Sequence, residues 1–301
     1  MRSGTLALFA AIACSCAQAP GAETAYPHAR LLMEPAELAR PEVAKEFVLL
    51  DVRPEDAYRK AHVPGARRVD HDAWKEAFGD GRNSEGWGKR IGRLGIRADS
   101  KVVVYDDNSM KDAARIWWIL RYWGVEDARL LDGGWKTWTA EGYPTTREVP
   151  ASGAAAAFRA RPIARALTTM QQVVDSLEHH DLQIVDARSQ DEHCGIDQRK
   201  NERAGAIPGT KHLEWSDLID KTTGRFKSPQ VLRRLFDQAG IDLQRPTATH
   251  CQSGGRASVV AFGLELMGAG DVRNYYAGWG EWGNRDDTPI ALPKKPEGSR
   301  K

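Results

Sequence analysis

Cys251 opens a short segment whose residue types favour nucleophilic chemistry. Gln252 and Ser253 follow it, and two glycines and an arginine come next. The glycines allow the backbone to curl so that several N–H groups face one point. A helix predicted to begin near Ala257 directs its positive end to the same place. Because such surroundings stabilise a thiolate, the sequence predicts Cys251 as a catalytic nucleophile, in an active-site loop that comprises Gln252, Ser253, Gly254, Gly255 and Arg256.

Alternating strand and helix signals surround this loop. The segment "KVVVYDD", from Lys101, is a continuous apolar run typical of a strand buried on both faces. "DAARIWWILRYWG", which ends at Gly124, repeats apolar residues at helical spacing. "PTATHC" and "RASVVAFGLELMG" give the same order around Cys251. The pattern predicts an α/β fold of parallel sheets flanked by helices, in which ligand sites lie at the carboxyl ends of strands.

The chain contains this pattern twice. Five residue pairs share one offset of 144 positions: Pro64 with Pro208, Gly124 with Gly268, Gly134 with Gly278, Trp135 with Trp279, and Trp138 with Trp282. We therefore predict two tandem domains, at residues 26–148 and 168–292, joined by a linker at 149–167 that is rich in alanine, proline and glycine. The same offset places Asp107 opposite Cys251, so thiol chemistry is expected only in the second domain.

The composition limits the classes of partner. The chain has 301 residues, of which 41% are hydrophobic and 28% charged, and its formal net charge is +2. This near-neutral charge gives no reason to expect nucleic acid or an anionic membrane as a partner. The sequence also predicts no transmembrane span, because its apolar runs are too short to cross a bilayer.

The N-terminus has the order of a secretory signal. Arg2 precedes an apolar run, Leu6 to Ala13, and small residues follow it. We expect residues 1–25 to be a cleaved signal peptide and the mature protein to be periplasmic or secreted. "AIAC", ending at Cys14, loosely resembles a lipoprotein box, which leaves lipid anchoring as an alternative.

Removal of the signal would leave two cysteines, Cys194 and Cys251. Cys194 is expected to be a free thiol, with a disulfide to Cys251 or a resolving role as alternatives.

Further motifs occur in both halves: Asp-x-Arg at Asp51 and Asp186, "HVPGA" at His62 with "AIPGT" at Ala206, and "LLDGGW" with "YYAGWGEW". With the six-residue loop, these motifs make the chain resemble the tandem-domain rhodaneses, the family of thiosulfate and 3-mercaptopyruvate sulfurtransferases. The resemblance implies an inactive first domain and an active second one. It also implies a sulfurtransferase in which Cys251 takes sulfane sulfur from a small anionic donor, holds it as a persulfide, and passes it to cyanide, a thiol or a dithiol protein. No metal or organic cofactor is implied.

The resemblance also suggests substrate-binding residues. Arg188 matches the family arginine that faces the anionic donor, and Arg203 lies on the longer loop that follows it. Glu192 stands where some members carry a second arginine. Arg188 could equally be a structural partner of Asp186 or Glu192.

Two other functions remain open at this point. A phosphatase or arsenate reductase of the Cdc25-like kind has five residues between its cysteine and its arginine, whereas four separate Cys251 from Arg256. A periplasmic sulfur carrier would form the same persulfide without efficient turnover. Repeated turnover with a small acceptor distinguishes an enzyme from such a carrier.

Overall fold

The computed structural model describes residues 25–151 and 155–295 of the chain. These residues form two parallel sheets flanked by helices, which confirms the predicted α/β class. The first domain has strands β1 Leu32–Met33, β2 Phe47–Asp51, β3 Arg67–Arg68, β4 Lys101–Tyr105 and β5 Asp127–Leu131. They pair in the order β1-β5-β4-β2-β3.

Helices cover both faces of this first sheet. A short 3-10 helix at Ala29–Leu31 precedes β1. The α-helices are α1 Pro35–Leu38, α2 Pro41–Ala44, α3 Glu55–Lys60, α4 His71–Phe78, α5 Ser84–Gly92, α6 Lys111–Tyr122 and α7 Gly134–Ala140. Helix α6 follows the central strand β4, and nine of its 12 residues are buried.

The second domain repeats this plan with four strands in the order β7-β6-β8-β9. The strands are β6 Gln183–Asp186, β7 Lys211–His212, β8 Thr247–His250 and β9 Val272–Tyr275. The helices are α8 Met170–His179, α9 Gln190–His193, α10 Pro229–Gln238, α11 Gly255–Leu266 and α12 Trp279–Trp282, with 3-10 turns at Ala164–Ala166 and Trp215–Leu218. Where β1 pairs with β5 in the first domain, the second has a single parallel bridge between Leu167 and Asn274.

The two domains share one hydrophobic core. Helices α6 and α11 pack against each other, with the Trp117 and Phe262 rings 4.8 Å apart and Arg121 Nη2 3.4 Å from Glu265 Oε2. Apart from Arg256 and Glu265, the residues of α11 are buried, and apolar residues lie on more than one side of the helix, as expected for a helix between its own sheet and the first domain. This packing brings the loop that precedes α11 against α6 of the first domain.

The segment predicted as a linker lies along the first domain where it is described. Phe158 and Ala160 are buried, and the N–H groups of Arg161 and Ile163 bind the carbonyls of Trp123 and Tyr122. The predicted signal peptide lies outside the described residues except for Ala25. No helix in the described part of the chain combines the length and apolar character needed to traverse a bilayer.

Candidate active site

Cys251 lies at the carboxyl end of the central strand of the second sheet. Strand β8 ends at His250, which pairs with Asp186 of β6, and Cys251 is the next residue. Its side chain is buried, and the following residues turn into α11 at Gly255. The nucleophile predicted from sequence therefore occupies the edge at which parallel α/β sheets bind ligands.

Four consecutive carbonyl groups of the loop are fixed by hydrogen bonds, three from residues outside the loop and its helix and one from the first turn of α11. The carbonyls of Cys251, Gln252, Ser253 and Gly254 accept hydrogen bonds, respectively, from Trp279 N (2.7 Å), Gly280 N (2.9 Å), Arg115 Nη1 (2.5 Å) and Ser258 N (2.9 Å). In a trans peptide the carbonyl and the following N–H point in opposite directions. The N–H groups of residues 252–255 therefore turn to the inner side of the loop. Together with the N–H groups of Arg256 and Ala257, in the first turn of α11, they form an anion-binding cradle.

Two glycines make this geometry possible. Gly254 has φ +81°, and a Cβ there would collide with the Tyr276 ring, which lies against the loop. Gly278 has φ +58°, and a Cβ there would collide with the Cys251 carbonyl. Only glycine adopts such backbone angles without strain while permitting this close approach.

In the first domain, Asp106 occupies the position of Cys251. Asp51 pairs with Tyr105 in the first sheet as Asp186 pairs with His250 in the second, so the next residues, Asp106 and Cys251, are equivalent. Trp135 N binds the Asp106 carbonyl at 2.8 Å, as Trp279 N binds that of Cys251. The prediction that Asp107 stands at the cysteine position is therefore wrong by one residue; Asp107 is exposed.

The carboxylate of Asp106 shows what the first-domain version of the cradle binds. It accepts four backbone hydrogen bonds of 2.8–3.0 Å, from the N–H groups of Asn108, Met110, Asp112 and Ala113. Burial raises the pKa of Asp106 to about 6, whereas these bonds lower it. Met110 and Gly254 are the N-cap residues of α6 and α11, and they are 144 positions apart, like the other equivalent residues of the two domains. We therefore expect the backbone N–H groups at the start of α11 to face Cys251 as those at the start of α6 face Asp106.

Arg256 is fixed by an ion pair that the first domain lacks. Its Nη1 and Nη2 lie 2.5 and 2.9 Å from the two carboxylate oxygens of Glu192, whose side chain is almost fully buried. Burial by itself raises the pKa of Glu192, but the bonds from Arg256 lower it to about 2. Burial lowers the pKa of Arg256, yet Glu192 and the nearby charge of Cys251 raise it by more, so the guanidinium stays positive beside the thiol. Glu192 thus orients the loop arginine.

The comparisons with known proteins agree with this geometry. The family model of the rhodanese-like domain matches the chain twice, at residues 34–141 and 169–285. The chain belongs to the rhodanese family. Among its relatives, a thiosulfate sulfurtransferase of Azotobacter vinelandii is 32% identical over 271 residues, which are 87% of this chain and 97% of that protein. The sulfur carrier protein TtuD of Thermus thermophilus is 33% identical over 247 residues, 78% of this chain and 86% of that protein.

A solved structure shows the same fold. The anaerobic ergothioneine biosynthesis enzyme from Chlorobium limicola, in complex with trimethyl histidine, superposes with a TM-score of 0.79 at 23% identity, covering 88% of this chain and 71% of that one. The similarity to this structure shows the fold, whereas the family match and the sequence relatives identify the chain as a rhodanese-type sulfurtransferase.

Arg188, predicted to bind the donor, is buried in this rhodanese, and its guanidinium binds groups of the protein itself. Its side chain is 1% exposed, its Nε and Nη2 bind Asp186 at 2.9 and 2.6 Å, and its Nη2 also binds the Gly205 carbonyl at 2.7 Å. Arg53 makes the same contacts with Asp51 and the Ala61 carbonyl in the domain without a cysteine. An arrangement shared with the domain that has no cysteine at this position belongs to the scaffold, so these contacts do not support the donor-binding assignment.

Arg203 also faces the protein rather than the loop. Its guanidinium binds the carbonyls of Thr288 and Trp282 at 3.0 Å and so fastens the chain that follows α12. These contacts give no support to its predicted role in donor binding either. The two described cysteines are both free, which excludes the alternative of a disulfide between Cys194 and Cys251 in this structure.

Sequence reasoning missed three residues that contact the loop. Arg115 and Tyr276 lie against Ser253 and Gly254, and Asn201 exchanges amide hydrogen bonds of 2.7 and 3.2 Å with Gln252. Arg115 is the hardest to find from sequence because it lies 138 positions from its partner, in the other domain. Asn201 lies in the loop that is longer in the second domain than in the first. The extra length of this loop was the one feature of the sequence that pointed to an added contact there.

Proposed function

We propose that this rhodanese moves sulfane sulfur from thiosulfate to a thiophilic acceptor through a persulfide on Cys251. The observation that carries the proposal is the equivalence of Cys251 and Asp106. One domain fills its loop with a carboxylate bound by four N–H groups, whereas the other presents a nucleophile to a loop of the same kind. A sulfur anion on Cys251 is stabilised by such N–H groups as an oxyanion is stabilised in acyl transfer.

The first half-reaction loads the enzyme. The Cys251 thiolate attacks the outer sulfur of thiosulfate, and a sulfur–sulfur bond forms between them. The sulfur–sulfur bond of thiosulfate breaks, and sulfite leaves with the bonding electron pair. The N–H groups of the cradle and the Arg256 charge, held by Glu192, stabilise the anions on both sides of this step.

The second half-reaction regenerates the thiolate. Cyanide attacks the outer sulfur of the persulfide, a carbon–sulfur bond forms, and the persulfide bond breaks with its electron pair returning to Cys251. Thiocyanate is released. A thiol or a dithiol protein could replace cyanide as the acceptor, because the protein requires only a nucleophile that reaches the outer sulfur.

Intact-mass spectrometry after incubation with thiosulfate tests the proposal. The reduced protein is expected to gain the mass of one sulfur atom and to lose it when cyanide is added, with thiocyanate formed over many cycles. Cys251→Ser should gain nothing, whereas Cys194→Ser, the matched control, should load and turn over like the wild type. Absence of loading in the wild type would reject the proposal. A parallel incubation with 3-mercaptopyruvate shows which donor is preferred.

A sulfur carrier is the second candidate, favoured by the similarity to the Thermus protein of that name. A carrier would accept one sulfur from thiosulfate and then stall with cyanide. Continuous thiocyanate production therefore separates an enzyme from a carrier. The phosphatase alternative has no comparable support, since Arg256 is held by Glu192 and the loop is one residue shorter than that chemistry uses.

We also propose that the protein is exported by the predicted signal peptide. The support is the sequence order alone: Arg2, the apolar run and the small residues after it. The mature N-terminus, measured on protein recovered from the periplasm or the medium, tests this proposal. A chain that retains Met1 in the cytoplasm would reject it.

A further inference from the structure

Arg115 belongs to the first domain, which has Asp106 at the position of Cys251 and which we call the silent domain. Its side chain reaches the active-site loop of the second domain. Arg115 is one of the buried residues of α6, the helix that packs against α11. Its Nη1 donates to the Ser253 carbonyl at 2.5 Å and to the Tyr276 hydroxyl at 2.8 Å. The residue is only 6% exposed, and its guanidinium stands where a Cβ of Gly255 would point. A buried cation thus rests on the outer side of the loop.

The Ser253 carbonyl differs from its neighbours in how it is held. The carbonyls of Cys251, Gln252 and Gly254 accept backbone N–H groups of the second domain itself. Ser253 instead receives a charge-assisted bond from the first domain, a stronger type of hydrogen bond than a neutral one. Because the Ser253–Gly254 peptide is planar and trans, fixing this carbonyl directs the Gly254 N–H to the inner side of the loop.

The Gly254 N–H is a central donor of the cradle. Its equivalent in the first domain, the N–H of Met110, binds the Asp106 carboxylate at 2.9 Å. Arg115 also holds the hydroxyl of Tyr276, whose ring packs on Gly254, so the turn is restrained on two sides. The contact is not reciprocal, because Val259, which has no side-chain donor, stands at the corresponding position of α11.

We propose that Arg115 is a positioning residue with which the silent domain orients the cradle for sulfur transfer. This inference rests on the proposed function. It gives the domain without a cysteine a direct part in the reaction: the Arg115 guanidinium aligns the Gly254 N–H with the anion that forms on Cys251, without touching the reacting sulfur itself.

The Arg115→Met variant of the full-length protein tests this role. Methionine keeps an unbranched side chain of similar length but removes every donor. We expect kcat for thiosulfate and cyanide to fall by about tenfold or more, as when a transition-state donor is lost, with little change in the KM for thiosulfate. Arg121→Met is the matched control, because it removes the α6 contact to Glu265 without touching the loop, and its kcat should stay within about twofold of the wild type.

The outcomes separate positioning from simple tethering of the domains. An unchanged kcat in Arg115→Met, or an equal loss in Arg121→Met, would overturn the inference while leaving sulfur loading of the wild type intact. A wild type that gains no sulfur mass would instead reject the proposed function itself. Should Arg115→Met fail to fold, Arg115→Lys, which keeps the charge and one donor, is expected to show the same kcat-specific loss to a smaller degree, and its unchanged kcat would likewise overturn the inference.

Discussion

Asp106 and Cys251 occupy the same place in two copies of one fold. Each follows the central strand of its sheet, and each has its carbonyl bound by a tryptophan N–H, at 2.8 and 2.7 Å. The carboxylate of Asp106 collects four backbone donors, so the loop of the silent domain is closed by its own side chain. With aspartate at this position, the first domain has no nucleophile in its loop, and the Asp106 carboxylate itself is the anion that the loop N–H groups bind.

Replacing Asp106 by asparagine should destabilise the first domain. One carboxylate oxygen becomes an NH2 group, so two of the four N–H donors lose their acceptor and face another donor. We expect the free energy of unfolding to fall by about 2 kcal/mol, because an unsatisfied buried donor costs about 1–3 kcal/mol. Urea unfolding measures the change.

Asp107→Asn is the control for that experiment. Asp107 is exposed, so its substitution should alter the free energy of unfolding by no more than about 0.5 kcal/mol. Equal effects of the two substitutions would contradict the binding of the Asp106 carboxylate by the four backbone N–H groups.

The sequence predicted the fold class, and the position of Cys251 at the end of a strand, for physical reasons. Alternating apolar periods specify parallel βα units, and two glycines before a helix allow successive N–H groups to form an anion-binding concavity. The constant offset found the repeat but misplaced the aspartate. It holds at Pro64 and Pro208 and again from Met110 and Gly254 onward. At the ends of the central strands, Tyr105 and His250, the offset is 145, because the first domain has one more residue between its strand and its helix.

The sequence left the role of Arg188 open between donor binding and a structural pairing with Asp186, and the structure shows the pairing. The contacts of Arg203 and Arg115 could not be predicted from sequence. Arg188 and Arg203 both carry the charge that an anionic donor needs. Arg188 binds the Gly205 carbonyl, a contact that Arg53 repeats with Ala61 in the first domain. Arg203 binds the Trp282 carbonyl, which lies 79 positions away in the chain. The arginine that reaches the loop comes from the other domain. A sequence motif gives the residue types, but the contact between Arg115 and the Ser253 carbonyl depends on how α6 packs against α11.

Gly278→Ala should impair catalysis more than stability alone explains. The added Cβ collides with the Cys251 carbonyl, in addition to the strain of φ +58°. To accommodate the methyl group the carbonyl must move, and the Gln252 N–H moves with it. We expect kcat to fall by about tenfold or more, the effect of a misplaced transition-state donor. Steady-state kinetics and thermal unfolding measure the two effects.

Gly209→Ala isolates the backbone strain. Gly209 has φ +73° but open space around its Cβ position, so this variant should lose about 1 kcal/mol of stability and keep its kcat. Comparable kinetic losses in the two glycine variants would mean that the Cys251 carbonyl is not the sensitive element.

Arg188→Met should behave as a stability variant. It leaves the buried Asp186 carboxylate without its bidentate partner, and breaking such a pair costs about 3 kcal/mol or more. Arg53→Met, its counterpart in the silent domain, should cost a similar amount. Both folded variants are expected to keep the wild-type KM for thiosulfate. A KM raised in Arg188→Met alone would restore the donor-binding role that the sequence suggested.

Glu192 makes the stability of the loop depend on pH in a defined direction. Because Arg256 lowers the pKa of Glu192 from 4.5 to about 2 in the folded protein, the unfolded chain binds this proton first as the pH falls. The stabilisation is therefore complete above about pH 4.5 and is lost between that value and about pH 2, and it amounts to about 3 kcal/mol. Urea unfolding between pH 6 and about 3 should show a steeper loss for the wild type than for Glu192→Gln, which cannot ionise. Parallel pH profiles would show that the pair with Arg256 is not formed in solution, and the orientation of the loop arginine would then need another cause.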